Sequence, residues 1–388
     1  MLGRRPLRVT SVGDEWGSSK GGLSTLNREL AKHLARQPEV EVTCLLLNYS
    51  EKEEQEAGEC NVRLAKPQAM PGSDPIMRLC FPSDDLGIDV VIGHGQKLGA
   101  PAQTIAKRRK CKRVHIVHTA SEECAMFKEG ETAIPEGEEK HRTEIDLCKE
   151  ADVVVTIGPK LKEAISASLR PHGRDEHVIN ITPGIFSEFA KLEQARQEME
   201  QFRILVFGSG NVEDTELKGY DIAAEAVAGL KDESYLLQFV GAPKGKEEEV
   251  KKELLKCKIP RTQLRVGRFA ESRDEIKDLL LTVDLAILPS RTEGFGLTAL
   301  EALSAGLPIL VGNNSGFGKA IRDVKFGSSC VVCSDDPEKW AEAIKRVRQT
   351  TRKLRLEEAC SLREAYDEKY KWETQCEMLV QKLRHILE

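Results

Sequence analysis

The sequence predicts an α/β protein with two doubly wound parallel sheets, on three observations. Short β-rich runs alternate with helical patterns along the whole chain, the order that produces parallel sheets covered by helices on both faces. That alternation breaks in a charged, poorly periodic stretch at residues 186–201 and then restarts. The 388 residues also exceed one ordinary domain of roughly 150 residues.

Taken in order, the first half offers strands at residues 7–12, 40–47, 88–92, 113–118, 152–157 and 178–181, with helices between them such as 23–36 and 159–169. The second half offers strands at 202–207, 236–240, 264–266, 284–289, 308–311 and 329–332. Residues 354–388 read as helix, with Trp372, Cys376, Leu379 and Leu383 at apolar spacing. The expected domains are therefore 1–190 and 191–370, with a terminal helix, 371–388, packing back on the first.

Charge is nearly balanced, 58 basic against 63 acidic residues, which argues against nucleic acid as the main partner. The one strongly basic run, residues 107–113, falls where a helix meets a strand and has no interleaved aromatics, so it reads as a solvated helix end. Two acidic stretches, 51–59 and 129–139, are biased in composition. Eleven cysteines are an odd number, and several sit in apolar runs, as Cys44 and Cys80 do, which suits a reducing compartment. Cys330 and Cys333 have no second pair at zinc spacing and read as strand packing. The N-terminus enters a strand without the apolar core of a signal peptide, and no run approaches the roughly 20 apolar residues of a membrane span. A cytoplasmic location is the expectation.

The segment from Asp284 to Val311 carries the most chemistry. It reads as strand, loop, helix, turn and strand, so the amides at the start of the helix face outward from the carboxyl end of a parallel sheet, where an anion binds readily. Gly294 and Gly296 leave room for a phosphate to approach the main chain. Glu301 lies about one and a half turns into the helix, placed to grip a ribose diol, and Glu293 faces whatever is attached beyond the diphosphate. The run Gly208-Ser209-Gly210 is not a dinucleotide fingerprint, since its third glycine would fall at Glu213.

Glu293 and Glu301 in E-x7-E, with E-G-F-G and E-A-L-S-A-G-L-P around them, resemble the donor-site motif of the retaining glycosyltransferases of family four. The resemblance implies the GT-B fold, two Rossmann-like domains facing across a cleft, the first on the acceptor side and the second holding a nucleotide-sugar donor. It implies that Glu293 contacts the donor sugar, that the amides from Gly294 through Phe295 and Gly296 to Leu297 hold the diphosphate, and that Glu301 holds the ribose. Lys218, in Leu217-Lys218-Gly219, is similar to the family's diphosphate lysine, and Gly21 and Gly22, after Lys20, to its N-terminal glycine loop. His118 resembles the active-site histidine, with Thr119 beside it, and His94 stands where the family meets acceptor. His115, on the opposite face of the same strand, reads as packing. Arg268 and Phe269 occupy the region that cups the nucleobase, and Thr182-Pro183-Gly184 resembles the family's hinge turn. In Gly312 to Lys319, Ser315 and Gly316 are candidates to approach sugar or phosphate, or the run is a plain helix entry, and Lys319 is a candidate cation.

One departure matters. Ser209 stands where the family usually has an arginine, which removes a bidentate phosphate cation. The resemblance implies transfer of a sugar, with retention, from a nucleoside diphosphate sugar, UDP being the expected nucleotide, to an acceptor hydroxyl that the sequence does not identify. His118, Lys218 and Glu293 are the expected catalytic residues, with no covalent intermediate and no cofactor. No metal is expected either, there being no D-x-D after a strand. Ser209 feeds the rival reading, a nucleotide-sugar sensor or slow hydrolase within a larger signalling assembly.

Overall fold

A computed structural model describes residues 5–17, 21–128, 132–208 and 214–388. The chain divides into two compact units. The first comprises Met1–Thr119, Glu138–Pro183 and Tyr370–Glu388; the second comprises Ala120–Gly137 and Gly184–Lys369.

The first unit is built on strands β1 (Leu7–Gly13), β2 (Val40–Leu46), β3 (Val62–Ala65), β4 (Val90–His94), β5 (Lys112–Val117), β6 (Val153–Ile157) and β7 (Val178–Ile181). They form one sheet in the order β3-β2-β1-β4-β5-β6-β7, every pair parallel. β4 and β6 are buried along their whole length, as strands covered by helices on both faces must be. β3 has no counterpart among the expected strands: four residues at the sheet edge, running into Lys66-Pro67, are too short to print a period of two.

The acidic run is a helix, Glu51–Glu59, because Ser50 and Glu53 close a capping box and the acidic first turn suits the dipole. The basic run closes the helix Gly95–Arg109, whose C-cap Lys110 turns left-handed. The last helix, Trp372–Leu387, belongs to this unit. Trp372 stacks on His33 at 5.1 Å, and Gln375 brackets the main chain of Thr182, accepting from its N–H at 2.6 Å and donating to its carbonyl at 2.7 Å.

The second unit carries β8 (Phe202–Phe207), β9 (Tyr235–Ala242), β10 (Leu264–Arg268), β11 (Leu285–Leu288), β12 (Ile309–Gly312) and β13 (Val331–Val332), parallel in the order β10-β9-β8-β11-β12-β13. Its core runs from Phe202, Ile204 and Val206 through Phe239 and Ile287 to Trp340 and Ile344. β13 is shorter than expected because residues Gly327–Cys330 wind into a 3-10 turn behind Phe326, which is left-handed. Cys330 therefore lies in that turn and Cys333 is exposed beyond the strand, so the pair is not strand packing.

In each sheet the strand order reverses once, between β1 and β4 and between β8 and β11. Loops leaving the carboxyl ends at such a point diverge and open a crevice, where ligands of doubly wound sheets bind. Among the described residues no helix is long and apolar enough to cross a membrane.

Candidate active site

In the second unit the crevice lies between the loop leaving β8 and the loop leaving β11. Lys218, at the end of the first, forms an ion pair through Nζ with the Glu293 carboxylate in the second. Each side chain keeps about a quarter of its exposure, 26% and 23%, so the pair lies within reach of solvent. Burial works to lower the Lys218 pKa, but the Glu293 charge and hydrogen bond outweigh it and the net shift is upward; Lys218 remains a cation. Gly219 follows with φ 66°, and a Cβ there would stand 2.0 Å from the Pro289 carbonyl, so only glycine lets the two loops meet. Arg291 braces them, taking Asp221 at 2.9 and 2.6 Å while its amide donates to Leu217 O at 3.0 Å.

The chain then enters the helix Leu297–Ser304 through Gly296, whose φ of 100° again requires glycine and which offers no side-chain cap to the helix-start amides. Phe295 anchors the loop edge-to-face on Phe317, and its carbonyl accepts from the Phe317 amide at 2.7 Å. Ser315 is committed to structure. It is buried, accepts from the Gly318 amide at 2.9 Å as a helix cap and donates to Gly312 O at 2.9 Å. Gly316 packs on Gly294, where a Cβ would meet the carbonyl at 2.3 Å. This run is thus the brace behind the loop of Gly294 and Phe295, with Lys319 half-buried on its helix.

Glu301 is buried and bound by Arg273, which also donates to Glu188 at 2.9 and 2.6 Å and lies over Phe189 at 4.4 Å. Burial opposes the Arg273 charge, but the two carboxylates outweigh it and its pKa rises. Sequence reasoning missed Arg273. The available signal was its position as the first residue of the helix Arg273–Leu281, where the dipole disfavours a cation unless carboxylates hold it. Asp221, Glu188 and Arg291 carried no such mark.

Arg268 and Phe269 leave the edge strand β10, two strands from the reversal. Arg268 is exposed and reaches Glu271 and Glu275, each at 3.4 Å, while the half-buried Phe269 donates its amide to Ala242 O at 2.8 Å. The segment Ala120–Gly137 reaches the same loops: Glu123 accepts from the Thr292 hydroxyl at 2.7 Å, and Lys128 pairs with Asp214 at 3.8 Å. Ser209, Lys20, Gly210, Asn211 and Glu213 lie outside the described residues.

In the first unit the β1/β4 crevice holds a chain of buried polar groups. Ser11 donates to Asn27 Oδ1 at 2.6 Å, His94 Nε2 lies 3.0 Å from the same oxygen, and His94 Nδ1 lies 3.0 Å from His118 Nε2. Burial pushes the His94 pKa well down, with His118 adding to it, and brings His118 down to about 3, so both rings are neutral near pH 7. His94, expected to touch acceptor, has no exposed surface and contacts His118 instead. Thr119 is exposed beside His118. His115 is buried, with its Nε2 2.8 Å from the Glu144 carboxylate, a buried polar pair where plain packing was expected. Gly21 has φ 97° and leads into the helix Gly22–Leu34, of which Gly22 is the first residue.

Residues 10–379 match the profile of the family described as Family 4 Glycosyltransferase in conflict systems. The D-inositol 3-phosphate glycosyltransferase of Streptomyces bingchenggensis is 26% identical over 275 residues, 67% of this chain and 58% of that protein. The glycogen synthase of Mycobacterium tuberculosis is 28% identical over 244 residues, 62% of this chain and 56% of that protein. The chain thus spans a little over half the length of these curated relatives. Among solved structures, sucrose-phosphate synthase from Thermosynechococcus elongatus is similar at a TM-score of 0.73 with 15% identity, over 98% of this chain and 99% of that one. Anabaena HepE, in complex with UDP and glucose, is similar at 0.71 with 15% identity, over 98% and 100%. These likenesses show the fold, the two-domain α/β architecture of GT-B.

Proposed function

Because the chain belongs to the family-four glycosyltransferases of conflict systems, we propose that it moves a sugar, with retention at the anomeric carbon, from a UDP-sugar to an acceptor hydroxyl. The observation that carries this reading is the Lys218–Glu293 pair at the β8/β11 reversal, beside the uncapped start of the helix that bears Glu301. UDP is preferred because HepE, a structural neighbour, is described in complex with UDP-glucose.

Binding a diphosphate would move the Lys218 ammonium from carboxylate to phosphate. Negative charge grows on the leaving diphosphate in the transition state, so Lys218 and the amides from Gly294 to Leu297 accelerate the reaction by meeting that charge. Glu293, released from Lys218, turns to the sugar hydroxyls and to the positive charge developing at the anomeric carbon. Glu301, held in place by Arg273, holds the ribose. His118, neutral at pH 7, hydrogen-bonds the sugar rather than trading a proton. Neither a divalent metal nor another cofactor takes part.

The test is UDP release from a panel of UDP-sugars, with and without candidate acceptors, with product masses checked. Release that rises markedly with a suitable acceptor supports transfer. Slow, water-limited release across a broad acceptor grid, alongside tight donor binding, would replace it with a sensor or hydrolase.

A further inference from the structure

The buried polar chain at the β1/β4 reversal has hydrogen bonds that run only one way. Asn27 Oδ1 receives the Ser11 hydroxyl at 2.6 Å and lies 3.0 Å from His94 Nε2. An amide oxygen only accepts, so His94 carries its proton on Nε2. Ser11 Oγ, 3.1 Å from the same nitrogen, has already given its own proton to Asn27 and adds a second acceptor there. His94 Nδ1 is then a bare lone pair 3.0 Å from His118 Nε2, which must be the donor. That leaves Nδ1 as the unprotonated nitrogen of His118.

We infer that Asn27 and Ser11, acting through His94, fix His118 as its Nε2–H tautomer, so that His118 meets the donor sugar as a hydrogen-bond acceptor, at Nδ1, for a sugar hydroxyl. The inference rests on the reading that His118 touches the sugar. Ser11, Asn27 and His94 are positioning residues, exposed to 3%, 2% and 0%, and reach no ligand themselves. A side chain in such a place keeps its polar groups only if they are paired, and here each pairing is passed along to the one ring that retains some exposure. The neutrality of both rings fits, since a second proton on His94 would put two donors face to face and one on His118 would occupy the Nδ1 lone pair offered to the sugar.

The tautomer is read directly by two-bond proton–nitrogen NMR correlations of the full chain, with the two rings assigned through His94→Gln and His118→Gln. The expected result is a proton on Nε2 of both rings; a proton on Nδ1 of His118 overturns the inference. Asn27→Asp and Asn27→Leu separate positioning from packing, because the two replacements are of similar size. If the acceptor oxygen is what matters, Asn27→Asp keeps kcat for UDP-glucose within about threefold, while Asn27→Leu lowers it about tenfold or more at unchanged UDP affinity. The reverse order, a buried carboxylate harming more than leucine, would mean packing alone and overturn the inference. His118→Ala without effect on turnover would remove the sugar contact while leaving the tautomer assignment supported.

Discussion

Replacing Arg273 by methionine removes one cation from between two carboxylates. Arg273 and Glu301 are nearly sealed, with side-chain exposures of 10% and 7%, whereas Glu188 keeps 23%. Removing one partner of a buried pair costs about 3–5 kcal/mol, and the partial solvation of Glu188 places this case near 3 kcal/mol. With a urea slope of about 2–3 kcal/mol per molar, the unfolding midpoint of the second unit should fall by roughly 1 M. Trp340 is the tryptophan of that unit, so in a Trp16→Phe, Trp372→Phe background its fluorescence reports on the right transition. Adding Glu301→Gln to Arg273→Met should restore most of the loss, because the nearly sealed carboxylate is then neutral and only the better solvated Glu188 has lost the arginine. The penalty should also shrink at pH 5, since a carboxylate without its cation protonates more readily. A loss below about 1 kcal/mol, or no recovery in the double variant, would refute the claim that Arg273 exists to hold Glu301.

Glu293→Gln should leave UDP affinity unchanged or tighter, because Lys218 no longer has a competing anion, while turnover of the intact UDP-sugar falls; calorimetry and UDP release measure the two separately. Ser209→Arg should tighten UDP by adding a phosphate cation, and indifference would mean that this loop does not face the diphosphate. The first unit should lose stability on acidification. Burial lowers the His33 pKa from 6.5 to about 4, so between those values the unfolded chain binds a proton that the folded one does not, and stability falls as pH falls. His33→Gln should make urea-midpoint curves, followed through the adjacent Trp372, shallower by about 1.4 kcal/mol per pH unit in that window.

Much of the second unit was legible because its chemistry is local in sequence. Glu293, the glycines and Glu301 share one loop and helix, where E-x7-E fixes their spacing, and Lys218 marks itself by the glycine that must follow it. The partners were not legible. Arg273 lies 28 residues from Glu301 and 85 from Glu188, distances that no periodicity spans. Asn27 on a helix and Ser11 in a strand look like ordinary polar residues until folding places them against His94. The short strands β3 and β13 escaped or shrank for a related reason: an element of four or two residues is set by its neighbours in the sheet more than by its own pattern.

Calorimetry of UDP in EDTA with the full chain and with Lys218→Met and Glu301→Gln tests the donor site most directly. The wild type should bind UDP without a divalent cation, and each variant should bind at least about tenfold more weakly, the loss of a charged hydrogen-bonding partner. No binding of any nucleoside diphosphate by the wild type, binding that requires a divalent cation, or affinity unmoved by both substitutions would contradict the proposed donor site.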